Sequence, residues 1–162
     1  MAKRKPEVVA VKAAGENHQV LSLAVDRGED GVAPFRRTPC PTCPWRVEAT
    51  GEFPAEAFRH SAETAYDMAR ATFACHHSGA KNPTTCAGFL LRGADHNLSV
   101  RMAARIHGAD FAAVTDGGHE LHGDYYDIGH RLEEHRHALL RRGVVREHAT
   151  QRVGVIVAGP RA

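Results

Sequence analysis

Four cysteines constrain this chain more than any other feature, because all of them fall between positions 40 and 86. They are Cys40, Cys43, Cys75 and Cys86. The first two form a C-x2-C pair, whose tight turn aims two thiols in one direction, and Pro41 and Pro44 stiffen that turn. Because chance would spread the cysteines along the chain, we expect all four sulfurs to bind one metal centre.

Two kinds of centre fit four cysteine ligands. Iron–sulfur clusters often use a C-x2-C pair with proline after a ligand cysteine, as in Cys43-Pro44, and this reading is slightly favoured here. Zn²⁺ is the alternative, since structural zinc sites take four cysteines or three cysteines and one histidine. In the mixed zinc site, His76 or His77 would replace one cysteine.

Two readings without a metal remain open. Buried cysteines can act as small apolar side chains that only fill the core. Alternatively, the run from Cys40 to Cys43 matches the C-x-x-C of thioredoxin-like redox sites. That motif normally opens a helix after a strand, whereas here Pro44 follows at once and no βαβ pattern surrounds the pair.

Length and composition set the remaining limits. The chain has 162 residues, 43% of them hydrophobic, which is enough for one compact domain with extensions. Its formal net charge of +2 is too balanced to indicate a nucleic-acid-binding protein by itself. We expect a cytoplasmic protein that does not contact membranes, because no apolar run approaches the ~20 residues of a membrane span and no secretory leader is evident. A reducing compartment also favours metal or redox chemistry over structural disulfides.

The patterning predicts a small, irregular α+β fold, mainly helical around the four-cysteine site, with an N-terminal β-hairpin. The predicted elements are a hairpin within 7–26, a helix over 54–71, a helix capped by Asp95 or Asn97, a helix capped by Asp124, and an edge strand over 153–157. The chain divides into an N-terminal hairpin segment (1–30), the cysteine-containing domain (31–126) and a C-terminal helix and tail (127–162).

Five short runs stand out together: PCPTCPWR at 39–46, FACH at 73–76, CAGFL at 86–90, GADHNLSVR at 93–101 and DGGHEL at 116–121. Together they resemble an uncharacterised domain family found in actinobacteria and bacteriophages. The resemblance covers roughly residues 38–126. It implies a domain boundary and a metal site, but no reaction, since the family has no assigned biochemical function.

Three side chains are expected beside the centre. Trp45 should shield the metal and pack in the core, and Arg46 follows it with the capacity to bind an anion. His76, next to a predicted ligand, can hydrogen-bond to sulfur and so tune a cluster's potential, or it can simply be exposed.

The function expected from these observations is metal binding with a structural or redox-sensing role. The first alternative is an iron–sulfur electron carrier or enzyme, although no catalytic residue stands out and an enzyme is less expected. The second is a zinc-stabilised nucleic-acid-binding accessory protein of phage or host type. Its contacts would come from Arg92, Arg101 and Arg105, yet a solvated basic face explains these arginines better.

Overall fold

A computed structural model describes residues 4–27, 30–142 and 153–160 of the chain. The strands in these residues are β1 (Glu7–Ala13), β2 (His18–Val25), β3 (Thr72–Ala74) and β4 (Val153–Pro160). The α-helices are α1 (Ala55–Ser61), α2 (Ala87–Arg92), α3 (Leu98–Arg105) and α4 (Tyr125–Arg141). Short 3-10 turns cover Val47–Ala49, Ala62–Ala65, His76–Ser78 and Phe111–Ala113. The fold is therefore a small α+β fold, as the sequence predicts.

The strands form one sheet in the order β1-β2-β4-β3. β1 and β2 form the predicted antiparallel hairpin, whose turn contains Gly15 at a φ of 89°. β4 pairs with β2 in parallel and with β3 antiparallel. The prediction of an edge strand at 153–157 is therefore wrong in position. Its near-continuous apolar run is typical of a strand with neighbours on both sides.

The predicted helix over 54–71 is wrong in its second half. α1 and one 3-10 turn cover its beginning, but Met68 adopts a φ of 62°, outside the helical region. The amide of Asn97 explains the break, because its Nδ2 donates to the carbonyls of Thr64 (2.8 Å) and Ala71 (2.7 Å). These contacts from a later segment take carbonyls that local helical bonding would otherwise use.

The two predicted helix caps are confirmed. The side chain of Asn97 accepts a hydrogen bond from the backbone N–H of Val100 (3.1 Å) at the start of α3. Asp124 does the same for Asp127 (2.8 Å) at the start of α4. Each side chain satisfies an N–H that the first helical turn leaves without a partner.

The core contains the predicted site. All four cysteines belong to one cluster of buried side chains with Trp45, Phe73 and Phe89. The sheet joins strands from the hairpin segment, the cysteine-containing segment and the C-terminal segment. The three-part division remains a prediction, and residues 1–3, 28–29, 143–152 and 161–162 of those parts lie outside the described residues.

Candidate metal centre

The C-x2-C pair lies in a hydrogen-bonded turn. The N–H of Cys43 donates to the carbonyl of Cys40 (3.0 Å), and the N–H of Arg46 donates to the carbonyl of Cys43 (3.1 Å). Arg46 is only 9% exposed, and its guanidinium donates from Nη1 to the carbonyls of Cys40 (3.2 Å) and Pro41 (2.6 Å). The side chain that sequence reasoning placed beside the sulfurs therefore holds the backbone of the turn.

The backbone segments that carry Cys75 and Cys86 lie side by side, because the loop between them folds back on β3. The N–H of Cys75 donates to the carbonyl of Thr84 (2.7 Å), and the N–H of Cys86 donates to the carbonyl of Phe73 (2.9 Å). Cys75 directly follows β3, and Cys86 precedes the first residue of α2. These two bonds hold the segment before Cys86 alongside the end of β3, which overcomes the long sequence spacing.

Pairwise interactions link the four thiols within the cluster. Cys75 interacts with Cys40, Cys40 with Cys43, and Cys43 with Cys86, whose two sulfurs are 3.6 Å apart. Each cysteine is at most 2% exposed, and none forms a disulfide. In the part of the chain that the structure describes, no group of three or more His, Cys, Asp or Glu side chains has, as it stands, the geometry to hold a metal ion.

The thiol pKa values follow from this crowding. The pKa of Cys40 is raised, first by the Cys43 thiol and then by burial, against an opposing contact from Cys75. Contact with Cys40 lowers the pKa of Cys43, but the Cys86 thiol and burial outweigh it and raise the pKa overall. The Cys40 thiol and burial raise the pKa of Cys75. Adjacent buried thiolates repel one another, so in the absence of a cation the thiols of Cys40, Cys43 and Cys75 keep their protons at neutral pH.

Backbone N–H groups nevertheless point at three of the sulfurs. They come from Thr42 to Cys40, from Trp45 to Cys43, and from His77 and Ser78 to Cys75. Each of these bonds stabilises the thiolate and lowers the thiol pKa, in opposition to burial. Hydrogen bonds of this kind to the sulfurs also tune metal–thiolate centres.

The two neighbouring histidines differ in position. The His76 ring lies beside the cluster, with Nδ1 4.0 Å from the Cys40 sulfur and Nε2 2.7 Å from the Thr42 hydroxyl oxygen. Burial is the main reason that the pKa of His76 is lowered, and the nearby His77 adds to it. The His77 side chain is exposed, although its backbone N–H points at a sulfur. Of the two alternative ligands, His76 is the one whose ring reaches the cysteines.

Trp45 packs against the cluster as expected, and Gly88 makes room for it. Trp45 is fully buried and makes edge contacts with Phe73 and Tyr125, at ring-centroid distances of 5.9 and 4.8 Å. A Cβ added at Gly88 would lie 2.5 Å from the Trp45 Cβ and 3.2 Å from the Cys43 sulfur. Sequence reasoning missed Gly88, although its place two residues after Cys86 was a signal.

Residues 120–122 close the far side of the C-x2-C loop. The N–H of Val47 donates to the carbonyl of Glu120 (3.0 Å), and the N–H of His122 donates to the carbonyl of Trp45 (2.9 Å). The His122 side chain is 1% exposed, and its Nε2 lies 3.3 Å from the Thr50 hydroxyl oxygen. The end of the DGGHEL run thus makes a backbone contact with the C-x2-C loop, a role that the sequence did not indicate.

The basic face predicted near α3 is solvent-exposed. Arg92, Arg101 and Arg105 all have exposed side chains, and none of them forms an ion pair with another described residue. Nucleic-acid binding by these arginines remains a prediction. Among the described residues, no helix has both the length and the apolar character that crossing a bilayer requires.

The fold and the buried four-cysteine cluster define a small α+β protein with a cysteine-lined core. Residues 35–143 match the family of unknown function DUF6283, and the chain belongs to that family. The match covers all but the first four residues of the predicted cysteine-containing domain and the whole of α4. No curated protein and no solved structure gives a significant match.

Proposed function

We propose that the protein binds one metal ion through Cys40, Cys43, Cys75 and Cys86, and that this centre has a structural or redox-sensing role. The observation that carries the proposal is the single buried cluster that contains all four cysteines, with the Cys43 and Cys86 sulfurs 3.6 Å apart. They come from two loops that are far apart in sequence. A bound cation would replace the thiol protons and remove the repulsion between adjacent thiolates.

The spacing of the sulfurs supports a single ion such as Zn²⁺. Bonds of 2.3 Å in a tetrahedral Zn²⁺ site put neighbouring sulfurs about 3.8 Å apart. Cys43 and Cys86 are separated by 3.6 Å. Rotation of the Cys75 and Cys40 side chains would have to bring the other sulfurs around the same point, since no group of described side chains has that geometry as it stands.

An iron–sulfur cluster is the second candidate. It is favoured by Pro44 directly after Cys43, a pattern common among cluster ligands. A cluster needs a wider cage, on the order of 6–7 Å between sulfurs, because different cysteines bind different irons. The loops would have to move apart in a region where Trp45 and Gly88 are already in close contact.

The burial of the ligands supports a role other than catalysis at the metal. Catalytic zinc sites keep one position open for water or substrate, whereas structural sites use four protein ligands. All four cysteines here are at most 2% exposed, and Trp45 is fully buried against them. A centre of this kind would hold the C-x2-C turn against the loop before α2. Oxidation of two of its thiolates to a disulfide by a peroxide, which is itself reduced to water, would release the metal and with it this link.

Metal analysis with a visible spectrum tests the proposal. Protein purified without oxygen should contain one equivalent of zinc, lack a visible band, and give strong thiolate-to-metal absorption when Co²⁺ replaces zinc. Brown protein with iron and sulfide would support the cluster instead. Folded protein without bound metal, with thiols that stay unreactive in the presence of a chelator, would refute both and support the reading of the cysteines as apolar core residues.

Substitutions provide the second arm of the test. Cys40→Ser should abolish stoichiometric metal binding and destabilise the fold, because a small domain draws stability from a bound metal. His77→Gln is the matched control, since its exposed ring lies outside the cluster, and it should keep the metal. If Cys40→Ser does not fold, thiol counting on the parent protein decides: all four cysteines should become reactive only after a chelator is added.

A further inference from the structure

A cavity separate from the cysteine cluster lies between the end of β2, the start of the 30–36 segment, and α3. Its volume is about 450 Å³, within the range of small-molecule binding sites. Apolar side chains form most of its wall, among them Val100, Ala103 and Phe111. Ala103 is 5% exposed, so α3 presents a buried apolar surface to the cavity.

The charged lining of the cavity is mostly basic. Arg4, Lys5, Arg27 and Lys81 line it, and Asp26 is the only acidic residue of the lining among the residues that the structure describes. Arg27 is partly buried, and burial together with the nearby Arg70 cation lowers the pKa of its guanidinium. Partial burial strengthens the attraction of a cation for an anion, because less water screens the pair.

The Arg27 guanidinium is held in place through Nη2, which leaves other N–H donors for a ligand. Its Nη2 donates to the Ser99 hydroxyl and, at 3.5 Å, to the Arg70 carbonyl. Among the described residues, Arg27 pairs with no carboxylate, and its Nε and Nη1 make no hydrogen bond. A guanidinium has five donors in a planar fork, which matches carboxylate, sulfonate or phosphate oxygens in pairs.

We propose that this cavity binds an amphipathic organic anion, with its acidic head at Arg27 and its apolar body against Val100, Ala103 and Phe111. Lys81, whose side chain is exposed, adds positive charge at the rim. The proposal does not depend on the metal centre, since no cysteine lines the cavity.

One wall of the cavity belongs to the segment that leads into the cysteine cluster. Thr84 and Thr85 line the cavity and directly precede Cys86. The Thr84 carbonyl accepts from the N–H of Cys75, and the N–H of Thr85 donates to the Pro34 carbonyl, both at 2.7 Å. The cavity wall therefore includes the backbone that positions Cys75.

The test compares octanoate and octyl phosphate with the neutral 1-octanol. Both anions should bind the full-length protein and displace the fluorescent sulfonate 8-anilinonaphthalene-1-sulfonate, and 1-octanol should bind at least about tenfold more weakly, because it cannot pair with the guanidinium. Amide chemical shifts of Val100, Ala103 and Phe111 should move on titration. Equal binding of octanol and octanoate, or no binding of either anion at millimolar concentration, would overturn the proposal.

Two variants and a control locate the site. Arg27→Gln should weaken octanoate binding about tenfold or more while leaving octanol unchanged, and Ala103→Leu should weaken both by filling the cavity. Arg101→Gln, on α3 but exposed and outside the lining, should bind as the parent does. If Arg27→Gln does not fold, Lys81→Gln and the chemical-shift map of the parent decide, and shifts confined to other surfaces refute the site.

Discussion

Gly88→Ala is the substitution that tests the packing beside the cysteines most directly. The new methyl group would lie 2.5 Å from the Cβ and 2.8 Å from the Cγ of Trp45. Rotation of the indole cannot relieve the first contact, because the Trp45 Cβ is fixed to the backbone. Either the loop carrying Trp45 or the first turn of α2 must shift, and Cys43 and Cys86 lie on those same two segments.

Two opposing terms set the change in the free energy of unfolding that Gly88→Ala should cause. Overpacking a core costs about 1–3 kcal/mol, and contact with a backbone-fixed atom puts this site at the upper end. Alanine in place of glycine within a helix stabilises the helix by about 1 kcal/mol. The expected net loss is about 2 kcal/mol in the free energy of unfolding, or a fall of roughly 4–8 °C in the melting temperature of a chain of this length.

Gly129→Ala provides the matched control. Gly129 lies within α4, and a Cβ added there meets nothing within 4 Å. The free energy of unfolding of this variant should rise by about 0.5–1 kcal/mol, because alanine favours the helix and makes no clash at this position. Urea unfolding of both variants and the parent, followed by far-UV circular dichroism, gives the comparison. A Gly88→Ala protein as stable as Gly129→Ala would refute the close contact between α2 and Trp45.

The other predictions concern hydrogen bonds and pH. Tyr125→Phe should lose about 1 kcal/mol of unfolding free energy in urea titrations, because its hydroxyl donates to the buried Ser61 carbonyl at 3.0 Å. The pKa of His122 is lowered from 6.5 mainly by burial, which Asp127 only partly offsets, so its stabilising contribution is complete above pH 6.5 and is lost as the pH falls below it. His122→Gln should therefore flatten the loss of stability between pH 7.5 and 5.5, and an unchanged slope would contradict this. Arg46→Lys should cost about 1–2 kcal/mol, because one ammonium cannot reach both the loop carbonyls that Nη1 binds and the Glu48 carboxylate that Nη2 pairs with, and a melting temperature equal to that of the parent would count against it.

Local patterns predicted the elements whose stability is local. The Asn97 and Asp124 side chains cap α3 and α4 because each needs only an N–H three residues later. The helix over 54–71 was wrong because its apolar spacing carried no information about Asn97, whose amide takes the carbonyls of Thr64 and Ala71 from another part of the chain.

By itself, the sequence determined that Cys40 and Cys43 lie close together, because three peptide units cannot separate them far. It also placed Trp45 beside them and Gly15 in a turn. Only the tertiary structure decided that Cys75 and Cys86 join the same cluster. The backbone hydrogen bonds from Cys75 to Thr84 and from Cys86 to Phe73 depend on a loop that folds back over β3. The position of β4 between β2 and β3 was likewise undetermined by its sequence, because strand neighbours are chosen by long-range pairing and not by the composition of one strand.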